Sequence, residues 1–281
     1  MPTPEQLYLR SPRHIQTVLA NAAAVKAWKG RYGPNFNALL EEYEARDRWS
    51  RAELDAFSDA QRALQLSRAA RTPYYQQIFQ DMGAHWTELI PVESFAQIPT
   101  TQKQQYREQA DAFRPRPRQA SDQLTRTSGT TGVPTEVLKT ALAVEEQWAV
   151  WWRYRRWHGI NLETPCALFA GRRIMSDQQG APFWRQNYVG RETRFSTYHI
   201  SRQSAPEYVA ALNAGNFTWV HGFSSAIANL ARFIVEDDLQ VSAPIVAVTL
   251  GGENLLPWQH DVIADAFGRR PVHHYGLTEQ A

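Results

Sequence analysis

Cysteine is nearly absent from this chain, which has a single one, Cys166, in the apolar run PCALFAG. One cysteine excludes an internal disulfide and a cysteine-rich zinc site, and it suits a reducing cytoplasm. We interpret Cys166 as a buried thiol on a strand, and a nucleophilic role is the alternative.

Excess charge of one sign and long apolar runs are also missing. The 30 basic and 28 acidic side chains nearly balance, so the composition gives no reason to expect nucleic acid as a partner. No apolar run approaches the length of about 18 residues that crosses a bilayer, and the opening MPTPEQLYLRSP lacks a secretory apolar stretch. We therefore expect a cytoplasmic protein without membrane insertion. The oligomeric state is not predicted.

Glycine is scarce in the first part of the chain. Only three of the 15 glycines, Gly30, Gly33 and Gly83, precede residue 121, and stretches such as FNALLEEYEARDRWSRAELDAFSDAQRALQLSRAA consist of strong helix formers. Residues 1–120 are predicted to form a mostly helical region that packs on the main domain. The boundary falls in FRPRPRQASDQ, whose arginines 114, 116 and 118 are either a phosphate-binding patch or part of a solvated connector.

After this boundary the pattern changes to short apolar runs that alternate with helices. The predicted strands are PCALFAG, TRFSTYHIS, FTWVHG, IVAVTL and PVHHYG, and the predicted helices include APEYVAALNAG, SSAIANLARFIVEDD and LPWQHDVIADAFG. This alternation predicts an α/β fold for residues 121–281, with a mainly parallel sheet and flanking helices.

Two of these helices carry finer predictions. Ser224 is predicted to be the N-cap of its helix, with Ile227, Leu230 and Ile234 on the buried face. The segment from Trp148 to Trp157 is interpreted as a helix that buries Trp148, Trp151 and Trp152. Its arginines 153, 155 and 156 are expected to reach solvent, in preference to a nucleic-acid interface.

The stretch TSGTTGVP at residues 127–134 contains only small residues before its proline. Glycine lets the backbone approach an anion closely, and amides and hydroxyls donate hydrogen bonds to it, so the stretch is typical of a polyphosphate loop. It lacks the Gly-Lys pair of a Walker motif, which disfavours an ordinary P-loop NTPase. Taken alone, the stretch is equally consistent with a hairpin turn.

Two further polar turns change this balance. TLGGEN follows the buried strand IVAVTL, and HHYGLTEQA follows the next predicted strand. Open parallel sheets bind ligands at the carboxyl ends of their strands, so these turns are predicted to share a cleft with the loop. There Tyr275 can stack on a base, Thr278 can bond a phosphate and Glu279 can help to hold Mg²⁺.

Together the three motifs resemble those of the adenylate-forming acyl ligases, a superfamily of acyl-CoA synthetases, peptide-synthetase adenylation domains and luciferases. TSGTTGVP resembles their phosphate loop, GGE at 251–253 their adenine-contacting turn, and YGLTE at 275–279 their adenine-stacking and magnesium motif. The stretches TPYYQQIFQ and IPTTQKQQYREQ resemble the preceding segment of the phenylacetate-CoA ligase-like branch. The motif resemblance spans residues 127–279, and residues 1–70 resemble no known family.

The resemblance implies that ATP and Mg²⁺ activate a small carboxylic acid, aryl or acyl, to acyl-AMP. Coenzyme A is the expected acceptor, with an amine or a hydroxyl as alternatives. Thr278 and Glu279 are the implied catalytic residues, and Glu279 is also the metal ligand. Tyr198, His221 and Phe223 are assigned to the substrate pocket, and a purely structural histidine is the alternative for His221. The implied nucleotide-binding residues are Thr127, Ser128, Gly129, Thr130, Thr131, Gly132, Gly251, Gly252, Glu253, Tyr275 and Gly276.

The sequence departs from the family pattern in two places. Thr135 stands where the usual loop has lysine, although the phenylacetate-CoA ligase branch also has threonine there, and Lys139 is not assigned as a substitute. Family members continue past YGLTE to a ribose-binding aspartate and to a C-terminal domain with a catalytic lysine, whereas this chain ends at Ala281. We therefore expect an incomplete adenylating domain with little or no activity by itself. The alternatives are a non-catalytic nucleotide-binding remnant and an α/β domain whose glycine turns are only structural.

Overall fold

The structure, a computed structural model, describes residues 3–83, 92–126 and 134–277. Its helices are α1 Pro4–Arg10, α2 Arg13–Arg31, α3 Phe36–Ala45, α4 Arg51–Ala69, α5 Pro73–Asp81, α6 Lys103–Glu108, α7 Ala141–Arg156, α8 Ala205–Ala214, α9 Ser224–Glu236 and α10 Pro257–Phe267. Its strands are β1 Gln123–Arg126, β2 Glu136–Lys139, β3 Cys166–Phe169, β4 Trp184–Asn187, β5 Glu192–Phe195, β6 Trp219–Gly222, β7 Ala247–Leu250 and β8 Val272–His273.

The described part of the chain before β1 is helical, as predicted. Local capping sets several of its helix starts. At α4, the Ser50 hydroxyl accepts a hydrogen bond from the backbone N–H of Glu53 at 3.3 Å, and the Glu53 carboxylate accepts from Ser50 N at 2.6 Å. This reciprocal capping box satisfies two of the N–H groups that the first turn leaves unpaired.

Six strands form the main sheet, in the order β4-β5-β3-β6-β7-β8. Five neighbouring strands of this sheet, β5, β3, β6, β7 and β8, are parallel. The sixth, β4, pairs antiparallel with β5 at one edge. The predicted α/β class and the mainly parallel sheet are therefore confirmed. The sequence WRQN of β4 lacks an apolar run, which is why this edge strand was not predicted.

Other strand bounds also differ from the prediction. The stretch TRFSTYHIS forms a strand only up to Phe195. Beyond it the chain turns, because the hydroxyl of Tyr208 donates to Ser196 O at 2.6 Å and the Ser196 hydroxyl lies 2.7 Å from His199 Nδ1. No strands were predicted on either side of residues 127–133, but the antiparallel pair β1–β2 found there agrees with the hairpin alternative that the sequence left open.

The main core lies between one face of this sheet and helices α8, α9 and α10. Alternate residues of each strand point into it, because successive side chains of a strand face opposite sides. The predicted buried face of α9 is confirmed, since Ile227, Leu230 and Ile234 are all buried. The sheet residues of this core include Ala167, Phe169, Phe195, Val220, Val248 and Leu250.

The prediction that the arginines of α7 reach solvent is wrong for Arg155. Arg155 does not reach solvent: it is 6% exposed and lies over the rings of Trp152 and Trp219, at 4.7 and 4.9 Å from their centroids. Its weakly hydrated, planar guanidinium tolerates this burial between aromatic rings better than an ammonium would. Trp152 is buried as predicted, whereas Trp148 and Trp151 are half-buried.

The chain divides into two compact units, residues 1–36 with 147–281, and residues 37–146. The first holds the six-stranded sheet, and the second holds α4 to α6 and the β1–β2 pair. These units are defined by their compactness and not by function. The predicted division into residues 1–120 and 121–281 therefore stays a prediction. Within the described ranges, none of the helices has the length and apolar character that a bilayer crossing requires.

Candidate functional site

The carboxyl ends of three neighbouring parallel strands, β6, β7 and β8, lie side by side. Gly222 pairs with Leu250, and Leu250 pairs with His273. Just beyond them, Gly251 N donates to Gly222 O at 3.2 Å and His274 N donates to Leu250 O at 3.2 Å. The structure therefore brings the Gly-Gly-Glu turn and the segment leading into Tyr275 together at one edge of the sheet.

This edge has close backbone approaches that require glycine. A Cβ on Gly251 would lie 2.4 Å from the His274 ring, and one on Gly252 would lie 2.8 Å from the Phe223 ring. Gly252 also has a φ of +80°, which side chains with a Cβ rarely adopt. A Cβ on Gly171, which follows β3 closely, would meet the Phe223 ring at 2.4 Å. The Phe223 ring thus packs against two glycine turns.

Glu253 stabilises the start of helix α9. Its carboxylate accepts a hydrogen bond from Ser225 N at 3.0 Å, and its carbonyl oxygen lies 2.7 Å from His273 Nε2. A carboxylate in this position satisfies an unpaired N–H and complements the positive end of the helix dipole. A contact of Glu253 with adenine stays a prediction.

The N-cap prediction for Ser224 was wrong. The N-cap is Phe223, and Ser224 is the first residue of the helix. Its hydroxyl is fully buried and has no hydrogen-bond partner among the described residues. Glu253 takes over the capping from a distant part of the sequence, which no local pattern reveals.

His221 is held by Thr249 on the neighbouring strand. His221 Nδ1 lies 3.0 Å from Thr249 O and 2.8 Å from Thr249 Oγ1. A carbonyl oxygen can only accept, so Nδ1 carries the proton and Nε2 presents a lone pair. Burial, and then the charge of Arg155, lower the pKa of His221 to about 3. The ring is therefore a neutral hydrogen-bond acceptor at physiological pH.

An aromatic cluster surrounds these residues. The His274 ring centroid lies 6.3 Å from that of His221, 5.8 Å from Trp151 and 5.4 Å from Tyr154. Two buried polar atoms of the cluster, the Tyr154 hydroxyl and His274 Nδ1, have no hydrogen-bond partner among the described residues. Burial lowers the pKa of His274 and raises the pKa of Tyr154 to about 12, so both side chains are neutral at pH 7. Unpaired buried polar atoms of this kind fit a polar ligand or an ordered water.

Tyr154, Arg155, Thr249 and His274 were not assigned to the site from the sequence. One signal was available for Thr249, a polar residue inside the apolar run IVAVTL. Burial of Arg155 had no sequence signal, because two neighbouring positions of the same helix also carry arginine.

Tyr198 and Tyr275 are both accessible. The Tyr198 hydroxyl donates to Gly171 O at 2.8 Å, which places it beside the turn that contacts Phe223. Tyr275 is 78% exposed, so its ring face is free to stack on a ligand. Gly276 is exposed as well.

The remaining predicted site residues lie outside the described residues. These are Thr127, Ser128, Gly129, Thr130, Thr131, Gly132, Thr278 and Glu279.

The structure does describe what flanks the predicted phosphate loop. Arg126 and Glu136 form an ion pair at 2.6 Å across β1 and β2. Arg107 Nε donates to Thr135 Oγ1 at 3.0 Å, and the Tyr106 hydroxyl donates to Glu136 O at 2.9 Å. A guanidinium group therefore lies beside Thr135, the residue that follows the proline of this stretch.

Cys166 is buried in β3, and burial raises the pKa of its thiol well above the ordinary value. Its position confirms the interpretation as a buried strand thiol. A thiol of this kind is inert as a nucleophile.

Comparison with solved structures shows that the chain has the fold of the adenylate-forming acyl-CoA ligases. One similar structure is 2-hydroxyisobutyryl-CoA ligase in the postadenylation state in complex with R3-HIB-AMP, with a TM-score of 0.59 and 17% identity over 81% of this chain. Another is the same ligase in complex with 2-HIB-AMP and CoA in the thioesterification state, with a TM-score of 0.54 and 20% identity over 78% of this chain. At these identities the likeness concerns the fold.

Among curated proteins, Protein CapK of Staphylococcus aureus is 24% identical over 156 residues, which are 55% of this chain. No family model matches the sequence. The aligned part covers 35% of CapK, and the structural matches cover 49% and 48% of the two ligase chains.

Proposed function

We propose that this chain carries the nucleotide-binding part of an AMP-forming carboxylate ligase, which converts an aryl or acyl carboxylic acid to acyl-AMP and then transfers the acyl group to coenzyme A. The observation that carries this proposal is the joint position of the Gly-Gly-Glu turn and the Tyr275 segment at the carboxyl edge of β6, β7 and β8. The presence of acyl-AMP and CoA in the structures of the ligase with the same fold supports it.

Adenine binds, in this proposal, between the Tyr275 ring and the turn at Gly251 and Gly252. The exposed tyrosine ring supplies a stacking face for the base. The unpaired His274 Nδ1 beside this turn fits a polar ligand.

The phosphates are assigned to residues 127–132 and to Thr278, with Glu279 holding Mg²⁺. A bound ion would neutralise charge on the phosphate oxygens. The substrate carboxylate attacks the α-phosphorus, the bond between the α- and β-phosphates breaks, and pyrophosphate leaves with its electron pair. Arg107, hydrogen-bonded to Thr135, supplies positive charge at the end of the loop.

The carboxylic acid is assigned to His221, Phe223 and Tyr198. Phe223 offers an apolar surface, and the neutral His221 Nε2 can accept a hydrogen bond from a hydroxyl or N–H group of the acid but not from its carboxylate, which carries no proton. A neutral histidine here avoids an ion pair that would hold the substrate carboxylate away from the nucleotide. No residue acts as a nucleophile, because positioning and charge neutralisation suffice for this step.

ATP binding measured by calorimetry tests the assignment. Tyr275→Ala and Glu279→Ala should each weaken binding by roughly 10-fold, the loss of one stacking or charged contact. Tyr188→Ala is the matched control, because Tyr188 is also exposed, at 71%, and follows the edge strand β4. Undiminished binding in both site variants would refute the assigned nucleotide site.

Release of pyrophosphate in the presence of candidate carboxylic acids tests the activity. Release that depends on the acid supports the ligase. ATP binding without such release supports a non-catalytic nucleotide-binding remnant instead.

A further inference from the structure

A second candidate site lies in the unit of residues 37–146. It is a surface groove with a volume of about 480 Å³, lined by Arg71, Pro73, Asp111 and the stretch RPRPR at residues 114–118. Pro73 is the first residue of helix α5, so the positive end of this helix lies at the groove wall. The volume falls within the range of about 300–1,000 Å³ that is usual for small-ligand pockets.

The arginine-proline stretch is held in place by a buried carboxylate. Arg116 donates to both oxygens of Asp122 at 2.9 Å, and Gln119 N donates to Asp122 Oδ2 at 2.8 Å. The Asp122 side chain is only 2% exposed. The hydrogen bonds from Arg116 and Gln119 hold the pKa of Asp122 at about 2, so Asp122 is ionised at physiological pH. The stretch therefore has a defined conformation, which Pro115 and Pro117 further restrict by fixing their φ angles.

The groove has more positive charge than its carboxylates neutralise. Arg114 forms an ion pair with Asp111, and Arg116 forms one with Asp122. Arg71 and Arg118 line the same groove, and neither forms an ion pair with a side chain of the described residues. Counting Asp111 and Asp122 against the four arginines leaves an excess of two positive charges.

We propose that this groove binds the phosphate group of a small ligand, a phosphomonoester or a diphosphate, through Arg71 and Arg118. The planar guanidinium group matches the geometry of phosphate oxygens and forms charge-assisted hydrogen bonds with them. The excess of two charges suits a dianionic group. Because the ordered arginine-proline stretch has little conformational freedom left to lose, ligand binding costs less entropy. The proposal does not depend on the adenylation activity.

The experiment compares three proteins of full length with inorganic pyrophosphate as the probe. They are the wild type, the groove variant Arg71→Gln/Arg118→Gln, and the control variant Arg51→Gln/Arg62→Gln. The control removes the same charge from exposed arginines of helix α4, in the same unit and outside the groove. Binding is measured by calorimetry, and hydrogen exchange of residues 111–122 locates it.

We expect pyrophosphate to slow exchange in residues 111–122 of the wild type and of the control. In the groove variant this protection should disappear, and the affinity of the corresponding site should fall by roughly 10- to 100-fold, as the loss of charge-assisted hydrogen bonds implies. Equal protection in the groove variant and the control would overturn the proposal. So would wild-type affinity for pyrophosphate in the groove variant.

Two further measurements make the result decisive. If the glutamine variant does not fold, Arg71→Lys/Arg118→Lys keeps the charge but loses the bidentate geometry, and the proposal requires weaker pyrophosphate binding in it than in the control. Titration with CoA and with dephospho-CoA then separates the possible sources of the phosphate. If the wild type binds CoA more tightly than dephospho-CoA and the groove variant does not, the groove binds the 3′-phosphate. If the wild type binds both equally, the groove binds the diphosphate. Tighter binding of a single-stranded RNA than of either small ligand would overturn the assignment to a small ligand.

Discussion

His221 shows how two neighbours determine the chemistry of one side chain. Thr249 fixes the proton on Nδ1, and burial beside Arg155 keeps the ring neutral. In the proposed substrate pocket, this histidine is therefore an acceptor at Nε2 over the whole physiological pH range.

The lowered pKa of His221 has a consequence for stability. Between pH 6.5, the ordinary value, and about pH 3, the unfolded chain binds a proton at this residue and the folded chain does not. The free energy of unfolding should therefore fall as the pH is lowered through this window, by at most about 1.4 kcal/mol per pH unit for one group. Urea unfolding at several pH values measures this slope. His221→Asn, which keeps a donor near the position of Nδ1, should flatten the slope, and identical slopes would contradict the buried neutral ring.

Arg107 provides a second prediction at this scale, which rests on the proposed function. Arg107→Gln should weaken ATP binding by roughly 10-fold, because one charge-assisted hydrogen bond to phosphate is lost. Lys103→Gln is the matched control, because Lys103 is an exposed cation of the same helix, α6. If calorimetry gives the same dissociation constant for Arg107→Gln as for the control, Arg107 does not contact the phosphates.

At the scale of elements, the Gly-Gly-Glu turn owes its shape to its neighbours as much as to its own glycines. Phe223 is the N-cap residue of helix α9, whose first turn Glu253 caps, and its ring packs against Gly252. The turn after β7 and the start of α9 therefore support each other.

Replacing a glycine of this turn tests that mutual support. Gly268→Ala is the control, because Gly268 has a φ of +63° and open space around it, so that only backbone strain of about 1–2 kcal/mol is expected. Gly252→Ala adds a collision with Phe223 to similar strain. It should lower the free energy of unfolding by about 1 kcal/mol more than the control, as overpacking does. If both variants lose the same free energy of unfolding in urea, the Phe223 ring moves aside without an energetic cost.

On the scale of the whole molecule, stability is expected to be uneven. All four residues of β7 are buried, and β7 lies between β6 and β8 in the sheet. The β1–β2 pair is a separate two-stranded sheet with exposed residues in both strands. Isolated two-stranded pairs are marginally stable, whereas strands in the middle of a covered sheet open only in global unfolding.

Hydrogen exchange followed by mass spectrometry checks this expectation. Peptides that cover residues 219–222 and 247–250 should exchange slowest, and peptides that cover 123–126 and 136–139 should exchange markedly faster. Equal protection of the two sets would contradict it.

The sequence was sufficient for much of the fold. The apolar runs at β3, β6 and β7 and the periodic helices α8, α9 and α10 occur where they were predicted, because each has its own local signal in residue period and caps. Strands β1, β2 and β4 were missed, because they are four residues long and their polar content carries no such signal.

The site divides in the same way. The sequence by itself was enough to identify the Gly-Gly-Glu turn and the Tyr275 segment as candidate parts of a ligand site. Each follows a predicted strand and consists of residues with a recognisable chemistry. Only the tertiary structure decided that Arg155 is buried, that Glu253 caps α9 and that Thr249 sets the tautomer of His221. Those contacts join residues that are 28 or more positions apart or depend on which side of a helix meets the sheet. Their energies come from burial and hydrogen bonding between elements, which exist only after the chain has folded.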